Sequence, residues 1–460
     1  MLRELSIRNF KNWSDTGAFR LAPITVFFGV NSAGKSSLIQ FLLMLKQTAE
    51  SPDRRRVLHP GDSQTPVELG TYRDLVYRHD LSRKIEFSME WDLPKSLSIV
   101  DPIKKDTYQG ERLRFKAAVE SDPSGGRQNI ASLEYRLKAE SRELVVSLNK
   151  SNGKEEYTLN ADPYELVRNQ GRAWKLKQPI RFYGFPDEVG AYYQNAGFTS
   201  DFVLELEKQL RRIQYLGPLR TVPSRSYIWS GETPEHVGWS GKRAIEALLG
   251  AKKRKISSGP HKHARPFEAV VASWLQKMEL LESFEVARIG EHRKEYEVLV
   301  RTRASATPVN LPDVGFGISQ ILPVVVQCFY AQPHTTILLE QPEIHLHPAV
   351  QMTLADLFIE TVQSRENGED RAIQLIVESH SEHLLRRLQR RIAEKVISPE
   401  DIALYWCKLG SEGAVLEPLR TNLFGDIENW PDNFFGDEMG EMAQRLEAAA
   451  AQKPESVETD

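Results

Sequence analysis

At 460 residues the chain is long enough for roughly two or three domains, each with its own core. A hydrophobic content of 40% and a charged content of 27% describe a globular protein, and a net charge of −3 excludes bulk attraction to nucleic acid, leaving only local patches for that role. The two cysteines, Cys328 and Cys407, lie inside apolar stretches and read as buried thiols in a reducing compartment, against a disulfide framework or a zinc site.

The chain opens on Met1-Leu2-Arg3-Glu4-Leu5, without the apolar core of a signal peptide, and no run reaches the length of a membrane span. A cytoplasmic protein with no membrane partner is expected. Leu5 and Ile7 alternate with polar neighbours before Asn9-Phe10-Lys11-Asn12-Trp13 breaks the pattern, which predicts a strand and a turn. Trp13 has two readings here, a stacking surface for an adenine ring or a cap on a sheet edge. Ile24 to Phe28 reads as a buried strand and Ser36 to Leu45 as a helix. Between them stands Gly29-Val30-Asn31-Ser32-Ala33-Gly34-Lys35-Ser36, a G-x-x-x-x-G-K-S phosphate-binding loop. Its glycines let backbone N–H groups wrap a phosphate, and the helix N-terminus adds a positive dipole end. Asn31, Ser32, Ala33, Gly34, Lys35, Ser36 and Ser37 are therefore the expected nucleotide-binding residues. Lys35 reaches the β- and γ-phosphates of ATP in this reading, and the Ser36 hydroxyl ligates Mg²⁺.

Ser51-Pro52-Asp53-Arg54-Arg55-Arg56 reads as a polar loop. From about 81 to 160 the period changes to two, in segments such as Lys84–Trp91, Arg112–Ala117, Ala131–Leu137 and Glu143–Leu148. Turn clusters at Asp122-Pro123-Ser124-Gly125-Gly126 and Ser151-Asn152-Gly153 separate them, predicting an antiparallel meander. Residues 161–215 look mixed and then helical, ending in Phe202–Leu210. Arg220 and Arg225 follow, and suit either bidentate phosphate binding or a surface ion pair. Residues 241–290 read as helices around a basic loop, Lys252-Lys253-Arg254-Lys255, the best local patch for a nucleic-acid backbone, although such charge runs are usually solvated faces.

Asp313-Val314-Gly315-Phe316-Gly317-Ile318-Ser319-Gln320 is a glycine-rich turn opening an apolar helix. Thr336-Ile337-Leu338-Leu339-Glu340 is a buried strand ending in a carboxylate, the pattern of a Walker B acid that holds Mg²⁺ directly or through water. Gln341-Pro342-Glu343-Ile344-His345-Leu346-His347-Pro348 follows, and Gln374 to Ser379 gives a further strand with His380 just past its end.

The order of these motifs resembles the ABC-type ATPases of the SMC and RecF kind, and more closely the bacterial ATPases related to the OLD (overcoming lysogenization defect) family. The resemblance rests on residues 1–80 and 300–410, above all on Glu340-Gln341-Pro342-Glu343 with Leu346-His347-Pro348. The tail from Phe424 to Phe435 is similar to a small uncharacterised segment attached to a subset of these ATPases. The resemblance implies an α/β P-loop domain built from residues 1–80 and 300–420, a β-rich insertion at 81–215, a helical lobe at 216–299 and an appendage at 421–460. It also implies a head-to-tail homodimer with two ATPs, in which Gly315, Gly317 and Ser319 contact the γ-phosphate in trans and His380 is the switch histidine. Gln64 lies roughly where such ATPases place a glutamine loop.

Relatives often act on DNA or in anti-phage defence beside a separately encoded effector. OLD-type relatives carry a Toprim nuclease domain, but only about 80 residues follow His380, too few for one, so a nuclease is expected to be a partner. One position departs from the pattern. Gln341 stands where a glutamate usually activates water, and an amide positions water without accepting its proton. Either Glu343 supplies the carboxylate or hydrolysis is slow, and a working but slow ATPase is expected because phosphoryl transfer depends chiefly on positioning and charge neutralisation. The alternative is an ATP-assembled scaffold with negligible turnover that holds an effector.

Overall fold

The computed structural model describes residues 1–139, 142–151, 156–171, 175–260, 262–302, 307–431, 434 and 438–451. Strand β1 (Leu2–Phe10) turns back through β2 (Trp13–Asp15) and β3 (Phe19–Arg20), and both pair antiparallel with it. Strand β4 (Ile24–Gly29) is buried along its whole length and feeds helix α1 (Lys35–Glu50). A short helix α2 (Tyr72–Leu75) precedes the expected meander, β5 (Ile85–Val100), β6 (Thr107–Ser121), β7 (Gln128–Ala139), β8 (Leu144–Lys150) and β9 (Tyr157–Asp162). Of the turn read at 151–153, Asn152 and Gly153 lie outside the described residues.

The meander joins β1 in an eight-stranded sheet, ordered β2-β1-β5-β6-β7-β8-β9 with β3 beside β1. Alternation explains it: Phe87, Met89 and Trp91 are buried on one face, as are Leu113, Phe115 and Ala117 on the next strand. Helix α3 (Glu188–Tyr192) and helix α4 (Thr199–Arg211) follow.

Strand β10 (Ile213–Leu216) then enters the second sheet. The stretch 216–299, expected to be helical, is mixed. It contains β11 (Tyr227–Ile228), α5 (Ala244–Gly250), β12 (Lys255–Ser257), β13 (Arg265–Pro266), α6 (Phe267–Lys277), and the hairpin strand β14 (Ser283–Arg288), whose partner β15 (Glu295–Arg301) runs just past it. Buried Val286, Tyr296, Val298 and Val300 alternate with less buried neighbours, so period two wins there.

After β16 (Val309–Asn310) comes the apolar helix α7 (Phe316–Tyr330), then β17 (Thr336–Glu340), α8 (Pro348–Gln363), and the small strands β18 (Arg365–Glu366) and β19 (Glu369–Asp370). Buried Arg371 donates to the carbonyls of Phe329 (2.9 Å) and Ala331 (2.5 Å), closing the C-terminal end of α7. Strand β20 (Gln374–Glu378), α9 (Glu382–Ala393), β21 (Ile402–Gly410), β22 (Gly413–Leu419) and α10 (Glu438–Ala451) complete the order.

The second sheet has the order β10-β17-β20-β4-β21-β22, parallel from β10 to β21. Helices pack on it, giving the α/β core expected of a P-loop fold. Parallel strands buried on both faces read as continuous apolar runs, which is why Ile337–Leu339 and Leu375–Val377 show no alternation. The two sheets are tied at buried Gln374, which accepts from the Leu2 N–H (3.1 Å) and donates to the Leu2 carbonyl (2.7 Å).

Candidate nucleotide site

Strand β4 delivers the glycine-rich loop to the sheet's C-terminal edge, and α1 leaves it at Lys35. Gly34 has φ of 90°, and a Cβ there would lie 2.9 Å from the Asn12 amide and from Trp13 Nε1, so only glycine fits. Trp13 is fully buried and its indole N–H donates to the Gly34 carbonyl (3.1 Å). This corrects the stacking reading: Trp13 buttresses the loop and has no face free for a base.

The loop borders a cleft of about 270 Å³ lined by Lys11, Asn12, Asn31, Ser32, Gly34, Lys35, Ser36, Ser37, Gln40, Gln341, Glu378 and His380. Ala33 belongs to the loop but is buried, its N–H donating to the Val30 carbonyl. Lys35 Nζ donates to the carbonyls of Gly29 (2.9 Å) and Val30 (2.8 Å), and burial lowers its pKa. Lys11, Asn12, Gln40 and Glu378 also line the cleft, and no motif in the sequence marks them for it.

Glu378 ends β20, and its Oε1 accepts the Ser36 hydroxyl at 3.0 Å. Glu340 ends the neighbouring β17 and is in register with Glu378. Glu340 Oε1 and Glu378 Oε2 are buried without a hydrogen-bond partner among the described residues. Burial, then the charge of Glu378, pushes the Glu340 carboxyl up to about 7; burial also raises Glu378, against the Ser36 hydrogen bond.

Among the described residues no three acidic, histidine or cysteine side chains gather as a metal cage. A hydroxyl beside two under-satisfied carboxylates nevertheless fits Mg²⁺, which takes few protein ligands and completes its shell with water and phosphate. Ser36, Glu340 and Glu378 would hold it.

Gln341 follows Glu340 at φ of 43°, with its N–H on the Glu378 carbonyl (2.9 Å), and it lines the cleft. Glu343 is buried and is not among the cleft-lining residues. Its Oε1 accepts the His380 backbone N–H at 2.6 Å, while Oε2 has no hydrogen-bond partner among the described residues. This counts against Glu343 as the base that replaces the missing glutamate. His380 is exposed in the cleft, and burial followed by the Lys35 charge lowers its pKa.

The remaining expected residues fall elsewhere. Gly315 caps α7 with open space around it, and the nearest atom to a Cβ on Gly317 is the His345 carbonyl at 3.8 Å. Ser319 is buried in α7, so the exposed turn consists of Gly315 and its neighbours. None of the three lines the cleft of its own chain. Gln64 sits exposed in a turn, away from that cleft.

Lys252, Lys253 and Lys255 are exposed, but Arg254 pairs bidentately with Glu366 (2.9 and 2.8 Å) and donates to the Tyr330 carbonyl. Arg254 is therefore structural. Arg225 forms a bidentate, exposed pair with Asp313 (3.0 and 2.7 Å), as the bland reading held. Cys328 and Cys407 are buried free thiols.

In the tail, Phe434 stacks edge-on against Trp406, Trp430 and Phe28 of β4, whereas Asp432, Asn433 and Phe435 lie outside the described residues. Residues 452–460 of the appendage also lie outside them.

Residues 251–385 match the family model described as AAA ATPase domain, which takes in α7, β17 and β20. Residues 397–444 match a family described as a protein of unknown function (DUF3696); this match includes β21, which pairs with the P-loop strand, so it reaches into the core sheet. No curated protein matches the sequence. The chain is similar to the SMC head domain from Thermotoga maritima, at 10% identity and a TM-score of 0.41 over 91% of this chain and 99% of that one. It is also similar to an Smc head bound to the C-winged helix domain of ScpA (11%, TM-score 0.42, 91% and 97%). An Smc head domain derived from Pyrococcus furiosus, bound to the C-terminal domain of ScpA, compares at 9% and 0.41 over 98% and 99%. Among the described residues no helix is long and apolar enough to cross a membrane. A phosphate-loop motif and two paired acidic strand ends thus stand at one cleft, in a chain whose residues 251–385 are similar to an AAA ATPase domain.

Proposed function

We propose that the chain hydrolyses ATP with Mg²⁺ at this cleft and uses the cycle to close and reopen a head-to-tail homodimer. The single observation that carries the reading is the meeting of Ser36 with two buried, under-satisfied carboxylates at the ends of adjacent parallel strands. Mg²⁺, when bound, supplies charge neutralisation on the β- and γ-phosphates. Lys35 exchanges its two carbonyl partners for phosphate oxygens. Gln341 and His380 orient water and the γ-phosphoryl group from the cleft wall. An amide in this place accepts no proton, so turnover is slow.

The open N-terminus of α7 at Gly315 and Gly317 supports a γ-phosphate contact in trans, since neither glycine lines the cleft of its own chain. A separately encoded effector is the proposed output, DNA-related or in anti-phage defence, in line with the family resemblance. Exposed Lys252, Lys253 and Lys255 remain as proposed nucleic-acid contacts.

Steady-state turnover of the wild type against Lys35→Ala, with and without double-stranded DNA, tests this. Turnover is expected in the wild type and lost in the variant. ATP binding without turnover in either protein favours the second reading, an ATP-assembled scaffold; the observation on its side is Gln341 occupying the cleft where a base is usual.

A further inference from the structure

Arg220 is only 7% exposed, yet none of its three guanidinium nitrogens has a hydrogen-bond partner among the described residues. Its loop is fixed on both sides. The Gly217 N–H donates to the Trp239 carbonyl (2.8 Å), the Thr221 N–H donates to the Ser240 carbonyl (2.9 Å), and Arg225 is clamped by Asp313. The side chain is thus held inside by ordered backbone.

A buried guanidinium without an acceptor is strongly destabilising, because its lost hydration is not replaced. A fold that keeps one in a catalytic neighbourhood needs a state in which it is paired. The acidic group whose charge acts on Arg220 is Glu343. Glu343 has the complementary defect, a buried Oε2 with no hydrogen-bond partner among the described residues. Its other oxygen is already committed to the His380 amide at 2.6 Å.

Arg220 is not among the residues lining the nucleotide cleft, so it has no direct line to a phosphate there. The strand order explains why. Arg220 follows β10, and β17 and β20 stand between β10 and the P-loop strand. Glu343 lies beyond the end of β17 and bonds the backbone just beyond β20. A chain of three groups therefore runs along the sheet edge, from guanidinium to carboxylate to the histidine that faces the cleft.

We propose that Arg220 is a positioning residue of the ATPase site: with nucleotide bound, its guanidinium closes on the free Oε2 of Glu343 and fixes that carboxylate, through Oε1, against the His380 amide. The inference rests on the ATPase reading above and deepens it. Glu343 becomes a strut rather than a base, and the cleft needs its histidine held still only when a γ-phosphate is present.

The test compares wild type, Arg220→Gln, Arg220→Lys, Glu343→Gln and the double variant Arg220→Gln/Glu343→Gln. Arg220→Gln is expected to lower kcat about 10- to 100-fold, the scale of a displaced catalytic group, while its affinity for ATP stays within about threefold. Arg220→Lys recovers part of the loss, because an ammonium restores the charge without the planar fork. The double variant is no slower than the slower single one, since both changes break the same link.

Hydrogen exchange of the peptide around His380, with a non-hydrolysable ATP analogue bound, is expected to speed up about tenfold in Arg220→Gln and less in Arg220→Lys. Wild-type turnover in Arg220→Gln, penalties that multiply in the double variant, or a matching loss of ATP affinity would overturn the proposal. If Arg220→Gln does not fold, Arg220→Lys decides: wild-type kcat and wild-type exchange overturn it, and a lowered kcat with faster exchange supports it. If the wild type hydrolyses no more ATP than Lys35→Ala, the ATPase reading falls, and the exchange measurement still tests the pairing by itself.

Discussion

Strands β17 and β20 are the same object in sequence: five buried residues, parallel and in register, each ending in glutamate. Their end groups differ. Glu378 lines the cleft and holds the Ser36 hydroxyl, whereas Glu340 sits one strand farther from the phosphate loop with an unpartnered oxygen and a carboxyl raised to about 7. Position in the sheet assigns the roles, because β20 lies between β17 and the P-loop strand. Two neighbouring buried carboxylates repel one another without a counter-charge, and the proposed Mg²⁺ would supply it.

The largest effect that sharpens this comparison is on turnover. Glu340→Gln and Glu378→Gln are each expected to lower kcat by roughly 10²-fold or more, as for loss of a group that stabilises transition-state charge. The two should part in their Mg²⁺ dependence. In the proposed site Glu378 would share its hydroxyl partner, Ser36, with the metal, so Glu378→Gln is expected to raise the Mg²⁺ concentration for half-maximal turnover more than Glu340→Gln does. Full activity at unchanged Mg²⁺ demand in Glu378→Gln would reduce Glu378 to a hydrogen-bond partner of Ser36.

The next effect is on stability. Glu340 has a folded pKa of about 7 against an ordinary 4.5. Between those values the folded protein keeps a proton that the unfolded chain releases. Stability is therefore fully present below about 4.5 and is lost as pH rises through 7, with a ceiling of about 3 kcal/mol. In metal-free protein the Tm advantage of Glu340→Gln over wild type should grow from pH 5 to pH 8 and shrink with Mg²⁺-ATP. A Tm difference flat with pH would mean that Glu340 is ionised without cost, and the contrast with Glu378 would lose its electrostatic half.

From the phosphate-loop side the expected effect is smaller. Trp13→Phe deletes the hydrogen bond to the Gly34 carbonyl but keeps most of the buried ring. It should cost about 1 kcal/mol in a denaturant melt, with the preference for ATP over GTP unchanged. A changed base preference would restore the stacking role that burial removes.

How much of this was legible follows from the range of each interaction. The phosphate loop is local, so Gly29 to Ser36 announce themselves. Glu340 is legible because it ends an apolar strand; Glu378 carries the same signal, but its use depends on β20 lying beside the P-loop strand, which the sequence alone does not show. The burial of Trp13 depends on a carbonyl 21 residues away. The hairpin of β14 and β15 did have a readable period of two, in Phe284-Glu285-Val286 and Tyr296-Glu297-Val298-Leu299-Val300, but a helical reading of the neighbouring α6 was carried across it. The Arg220–Glu343 relation joins loops after different strands, and no spacing in one dimension encodes it.

A third carboxylate completes the comparison and gives its smallest test. Glu366 is also partly buried, but Arg254 donates two hydrogen bonds to it and Arg371 adds charge, so its pKa falls despite burial. A carboxylate that the chain itself satisfies has nothing left for a metal or a phosphate, which separates Glu366 from Glu340 by structure although both are acidic residues at a strand end. Arg254→Ala should destabilise by about 1–3 kcal/mol, the range for a hydrogen bond to a charged group, and leave the ATPase Mg²⁺ dependence unchanged. Lys252 and Lys253 are exposed, with no such partner among the described residues, and their alanine variants should stay within about 0.5 kcal/mol of wild type. If DNA stimulation of turnover drops in the lysine variants and not in Arg254→Ala, the basic loop divides as the geometry does, into a surface that meets phosphate and an arginine that holds the fold. Equal loss of stimulation in all three would instead put Arg254 on the DNA and break its pairing with Glu366.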